Sequence, residues 1–236
     1  MKKSSMIIII IVFLFSIFMG YKYFEDKRET TSKDAVTFKK EYESLNNRVN
    51  PNNNKLYPKI NISNDNPIKY SSYDEIFEVL KSGTGVIYLG YPECPWCRNL
   101  VPVMLSAAKE VEIDTIYYLN IKEDRDLLML DEDGNVITER EGNKKYFELV
   151  EKLDDILDEY TLTDNDGKSV STGEKRIYIP LLIFVKNGKI VAHHTDTVDS
   201  QTDPYVALND RQTEELLLKL INYMSKVSAS ICDESC

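Results

Sequence analysis

Cys94-Pro95-Trp96-Cys97 is the stretch of this chain best suited to chemistry. Two cysteines at this spacing can exchange electrons with a disulfide. One thiolate attacks, and the second thiol, one helical turn on, resolves the mixed disulfide that forms. A free cysteine is mostly protonated at neutral pH, so the attacking thiol needs a helpful setting. Val86-Ile87-Tyr88-Leu89 is a β-branched and aromatic run that predicts a buried strand, broken by Gly90 and Pro92. Leu100, Val101, Met104 and Leu105 follow the motif at helical spacing. Pro95 suits the first helical turn, where its missing N–H is no loss. Cys94 then stands at the helix N-terminus, where free N–H groups and the helix dipole stabilise a thiolate. Cys97 is expected to be shielded. Glu93 works against Cys94, since a neighbouring carboxylate raises the pKa of a thiol. Two other uses of the motif stay open: an inert structural disulfide, and a Zn site. The latter needs two more ligands, and Cys232 and Cys236 are the only other cysteines.

Strand, turn, C-x-x-C and helix together resemble the thioredoxin superfamily. The likeness recurs at Ile179-Pro180-Leu181-Leu182-Ile183-Phe184-Val185-Lys186-Asn187-Gly188, which is similar to that family's strand opening on a cis-proline and closing in a Lys-Asn-Gly hairpin. Pro102, five residues after Cys97, matches the family's helix-kinking proline. Within the superfamily the chain is most similar to membrane-tethered thioredoxin-like proteins of Gram-positive bacteria, including bacteriocin transport accessory proteins. The resemblance covers about residues 67–227. It implies an α/β thioredoxin fold, a central mixed sheet flanked by helices. The stretch from Cys97 to Pro180 is about twice the usual length, so an α+β insertion is expected over about residues 122–176, before the cis-proline strand.

The 236 residues allow one generous domain, and an apolar fraction of 42% is enough for a real core. A net charge of −10 argues against nucleic acid as a partner. Lys2 and Lys3 precede an apolar run from Met6 to Gly20, with Tyr21, Lys22, Tyr23 and Phe24 following. Residues 1–24 are expected to be an uncleaved membrane anchor spanning the bilayer over residues 6–21, with the lysines cytoplasmic and the domain outside. A cleaved signal peptide is the rival. An extracytoplasmic location is compatible with stable disulfides.

Residues 25–66 read as a stalk and linker. A helix is expected from Asp34 to Val49, with Phe38, Tyr42, Leu45 and Val49 on one face, either packed on the domain or serving only as a spacer, and Asn50–Asn66 as loop. The domain proper spans 67–228. Pro67–Tyr70 predicts a strand, and Ser72 with Glu75 a capping box for a helix ended by Gly83. Thr115–Ile121 is a second central strand. Leu128–Ile137 predicts a hairpin around Asp133-Gly134, Lys145–Tyr160 a helix, and Asp164-Asn165-Asp166-Gly167 a turn. Ile177–Val185 and Lys189–His194 form an antiparallel pair. His193 and His194, the only histidines, alternate in direction and read as an exposed or edge pair rather than ligands. No metal site is expected. The closing helix runs from Gln212 to about Val227 with Leu217, Leu220, Ile221 and Met224 inward, and residues 229–236 form a tail holding Cys232 and Cys236.

The resemblance implies an extracytoplasmic thiol–disulfide oxidoreductase that needs no cofactor beyond Cys94 and Cys97. Its substrates would be thiols and disulfides of exported proteins, and its electron partner a membrane or extracytoplasmic one. Pro180 would face the dithiol, and the Ile179 backbone would pair with an extended substrate segment. Trp96, exposed by its position, would help docking. Tyr88 stands where many family members carry a buried acid, and a phenol is a poor base at neutral pH. Cys232 and Cys236 would form a local disulfide or a pair serving another partner. The alternative is a non-catalytic binding module of the same fold, an accessory to export, for which the insertion speaks.

Overall fold

Five short runs rich in β-branched and aromatic residues make the central sheet. The computed structural model describes residues 32–228. Strands β1 (Ile68–Tyr70), β2 (Gly85–Leu89) and β3 (Ile116–Leu119) are parallel. Strand β8 (Leu181–Lys186) runs antiparallel to β2, β9 (Lys189–Thr195) runs antiparallel to β8, and the order across the sheet is β1-β3-β2-β8-β9. Between β3 and β8 lie two separate hairpins, β4 (Leu127–Leu130) with β5 (Val136–Arg140) and β6 (Glu159–Thr163) with β7 (Ser169–Lys175). This is a mixed α/β architecture with a central mixed sheet.

Side-chain alternation along β2 divides the core. Val86 and Tyr88 face helices α1 (Lys33–Glu43), α3 (Pro95–Glu110) and α5 (Asp210–Ser228). Ile87 and Leu89 face α2 (Tyr73–Ser82) and α4 (Lys144–Lys152). Both faces are covered, so the central strands are apolar throughout rather than alternating. The Ser72–Glu75 capping box opens α2. Asn187 and Gly188, both at positive φ (51° and 73°), close the β8–β9 turn in the manner of a tight hairpin.

Several elements differ from the sequence expectation. Helix α1 ends at Glu43, because Asn46 turns aside to exchange two hydrogen bonds with the Ile60 backbone (2.7 and 3.0 Å). Val49 is therefore exposed, while Phe38 and Tyr42 are fully buried, so α1 is part of the core and not a spacer. The helix expected to reach Tyr160 stops at Lys152. A 3-10 turn, Asp154–Ile156, follows, and Tyr160 belongs to β6, where the Asp164–Gly167 turn closes a hairpin. Strand β8 starts at Leu181 rather than Ile177, since Pro180 has no N–H to give to a ladder. The inward face of α5 is Leu216, Leu220, Met224 and Val227, with Leu217 and Ile221 only half-buried. His194 is buried and His193 exposed, so the pair sits on edge strand β9 with one ring turned inward.

A buried ion pair joins the start and the end of the region between β3 and β8. Arg176 Nη2 lies 2.6 Å from Asp126 Oδ1, and the guanidinium stacks over the Tyr160 ring at 4.2 Å. Among the described residues no helix is long and apolar enough to cross a membrane. The expected anchor over residues 6–21 and the Cys232/Cys236 tail lie outside the described residues.

Burial holds His194 down to about pH 4, with Lys219 adding to the effect. The folded state thus favours the neutral ring. That contribution is complete above the unfolded value near 6.5 and is lost as pH falls towards 4. The thermal midpoint is expected to drop across this window, with a full loss of about 3 kcal/mol. His194→Gln should flatten that limb in a melting series from pH 7 to pH 4.

Candidate active site

The turn after β2 delivers Cys94 to the N-cap of α3. Its φ and ψ are extended (−74°, 117°), Pro95 occupies the first helical turn, and the Cys97 N–H donates to the Cys94 sulfur at 3.4 Å. Both cysteines are free thiols. Cys94 is 6% exposed and Cys97 is completely buried one turn on, so only the first sulfur can meet a partner. The Cys97 thiol, donating to the Cys94 sulfur, holds Cys94 below the ordinary thiol value. The N–H groups of Cys97 and Trp96 add to this, and burial opposes it. Burial and the neighbouring Cys94 push Cys97 well above the usual range.

Glu93, expected to oppose a Cys94 thiolate, is paired across the fold. Lys122 holds its carboxylate at 2.9 Å. The carboxylate that raises Cys94 is Asp196, just after β9, whose own carboxyl is pushed up by partial desolvation. Asp196 takes a positive φ (57°), and its N–H donates to the Pro180 carbonyl at 3.3 Å. No spacing in the sequence connects Asp196 with Cys94; only the return of β9 beside β8 does.

Ile179-Pro180 is a cis peptide, and the Cys94 thiol approaches the Ile179 carbonyl at 3.8 Å. The Ile179 N–H has no partner among the described residues. Trp96 is half-buried rather than exposed, and it packs on the α1–α3–α5 core while lining a cleft on each side of it.

Beneath Cys97 lies a phenol chain. The Tyr88 hydroxyl hydrogen-bonds the Cys97 sulfur, which favours a thiolate there, and meets the Tyr42 hydroxyl at 2.7 Å. Burial drives both phenols well above their ordinary pKa, so they serve as donors and not as bases. Gly90 makes room for the arrangement: a Cβ there would lie 2.4 Å from the Tyr88 hydroxyl.

Arg98, the residue after the motif, is 1% exposed. Its Nε donates to the Pro58 carbonyl (2.8 Å), Nη1 to those of Tyr42 (2.7 Å) and Pro92 (3.3 Å), and Nη2 to Asn46 Oδ1 (2.8 Å). This one side chain joins α1, the loop after it and the active-site turn to α3. A buried arginine without a carboxylate leaves no trace in hydrophobic periodicity, so sequence reasoning passed over it.

The structure thus brings together Tyr88, Glu93, Cys94, Pro95, Trp96, Cys97, Ile179 and Pro180. Among the described residues no group of three or more His, Cys, Asp or Glu side chains could hold a metal ion. The arrangement can accept an extended chain against Ile179 and present one activated sulfur to it. No family model matches this chain and no curated protein matches it, so the site is read from its own geometry.

Proposed function

We propose that the chain is a thioredoxin-like thiol–disulfide oxidoreductase acting on protein substrates outside the cytoplasm. The observation that carries this reading is the placement of Cys94: at a helix N-cap, its sulfur held by the Cys97 N–H and set against the Ile179-Pro180 turn. Reduced protein attacks a substrate disulfide through the Cys94 thiolate. A Cys94–substrate disulfide forms, the substrate S–S bond breaks, and the leaving thiolate takes up a proton. Cys97 then gives up its proton and attacks Cys94, releasing the second substrate thiol; two electrons pass to the substrate. Run backwards, the same steps oxidise a dithiol. Membership of the thioredoxin superfamily is part of this proposal. The cis Ile179-Pro180 bond and the strand–turn–helix setting of the dithiol support it. An anchor over residues 6–21 and a redox partner in or outside the membrane complete the reading.

A second reading, a binding module for exported proteins, draws on the two extra hairpins between β3 and β8. Equilibration with glutathione separates the two. A redox enzyme reaches a defined dithiol–disulfide ratio, read by mass after thiol alkylation. A potential well above about −270 mV assigns an oxidase or isomerase, and one near or below it a reductase. A pair that never equilibrates with glutathione or dithiothreitol assigns the binding module.

A further inference from the structure

The cleft that opens on Cys94 has a charge opposite to that of the chain. It measures about 680 Å³ and runs from the loop after α1 to Ile179. Arg48, Lys122 and Arg125 line it, and among the described residues Glu93 is its only carboxylate. Glu93 is already held by Lys122. Neither Arg48 nor Arg125 forms an ion pair among the described residues. Two guanidinium groups without an ion-pair partner among the described residues therefore line the cleft that opens on the reactive sulfur, in a chain of net charge −10. Across Trp96 the sign reverses: the second cleft carries Asp196 and Asp199, with Lys219 as its cation.

An unpaired cation held at the mouth of an active site attracts anionic ligands and raises their rate of encounter. Arginine presents a planar fork that suits carboxylates in particular. The free Ile179 N–H beside the sulfur supplies a main-chain contact for an extended segment, which a small thiol would not use. We propose that the substrate is an extended polypeptide with acidic residues on one side of its reacting cysteine, those residues lying in the Arg48–Arg125 cleft. The sidedness follows from Asp196, which repels carboxylates on the other flank. This inference rests on the redox reading above and names the substrate class for it.

The test uses reduced protein and short peptides, each a disulfide-linked dimer through one cysteine. One set carries three glutamates before the cysteine, one after it, and matching sets carry lysines. Cys94 attacks the peptide disulfide, Cys97 displaces the second peptide, and the dithiol is the reductant throughout. The chain has a single tryptophan, Trp96, between the two cysteines, so its fluorescence reports the oxidation. In roughly 10 mM salt one of the glutamate sets is expected to react about 10- to 100-fold faster than its lysine counterpart, and the advantage should shrink several-fold near roughly 500 mM salt. The double variant Arg48→Glu/Arg125→Glu should abolish or invert the ratio of acidic to basic rates. Because the salt series uses unaltered protein, a variant that fails to fold leaves the question answerable.

Uncharged hydroxyethyl disulfide is the control. If it oxidises the pair while acidic and basic peptides react alike, the substrate inference is overturned and the redox reading stands. If glutathione disulfide reacts fast and peptides show no charge preference, the cleft serves a small dicarboxylate thiol and the inference is again overturned. A pair inert to every disulfide overturns both.

Discussion

Cys94→Ala is expected to lose thiol–disulfide exchange by at least ~10³-fold, while Cys97→Ala keeps the first step and stalls as a mixed disulfide. The asymmetry follows from position. Cys94 stands at the mouth of both the cleft and the helix, and Cys97 is fully buried behind it. Substrate can be trapped on Cys94 and not on Cys97, which intact-mass measurement of each variant would reveal. Exchange by Cys94→Ala at the unaltered rate would remove Cys94 from the mechanism.

The pH dependence carries its own sign. The Cys97 thiol and the N–H groups of Cys97 and Trp96 keep Cys94 below the ordinary thiol value of about 8.5. Alkylation of the reduced protein should therefore show an inflection below that value. The Cys94 thiolate also adds stability that is complete above about pH 8.5 and is lost as pH falls through the lowered folded value. Cys97 works the other way: shifted up by burial, it adds stability present below about pH 8.5 and lost as pH rises towards its folded value. Cys97→Ala removes the thiol that donates to Cys94, so the inflection should move up.

Arg98→Leu is expected to lower the unfolding free energy by about 3–5 kcal/mol in urea titration. Leucine fills much of the space but leaves the carbonyls of Tyr42, Pro58 and Pro92 without the guanidinium that now satisfies them. Buried acceptors stripped of their donor retain a desolvation penalty, which makes this change larger than the loss of an exposed ion pair. Asn46 keeps its two bonds to Ile60, so that turn should persist. Arg98→Lys is expected to recover only part of the loss, since one ammonium cannot reach four acceptors held in a planar fork. Protease sensitivity should appear first in residues 44–62, the segment Arg98 binds to α3. If Arg98→Leu unfolds like the unaltered chain, the network contributes nothing and water satisfies those carbonyls.

Local chemistry was legible from the sequence. The Cys94–Cys97 spacing, Pro95 at the start of α3, the Ser72–Glu75 cap and the Asn187-Gly188 turn all act within a few residues, where backbone sterics and nearby hydrogen bonds decide the outcome. The apolar run of β2 likewise announced a buried strand. Only the tertiary structure decided what stands around the sulfur. Glu93 was judged by its neighbour in sequence, yet Lys122 pairs with it across the fold, and the carboxylate that raises Cys94 is Asp196. The Lys145–Tyr160 periodicity continued past Lys152, but pairing with β7 drew Glu159–Thr163 into a hairpin. Tyr42 reaches Tyr88 and Arg98 reaches Pro58 only because α1 is folded onto α3. Coulomb and hydrogen-bond energies depend on distance in space, and a chain brings its distant parts to 3 Å only after the core has formed.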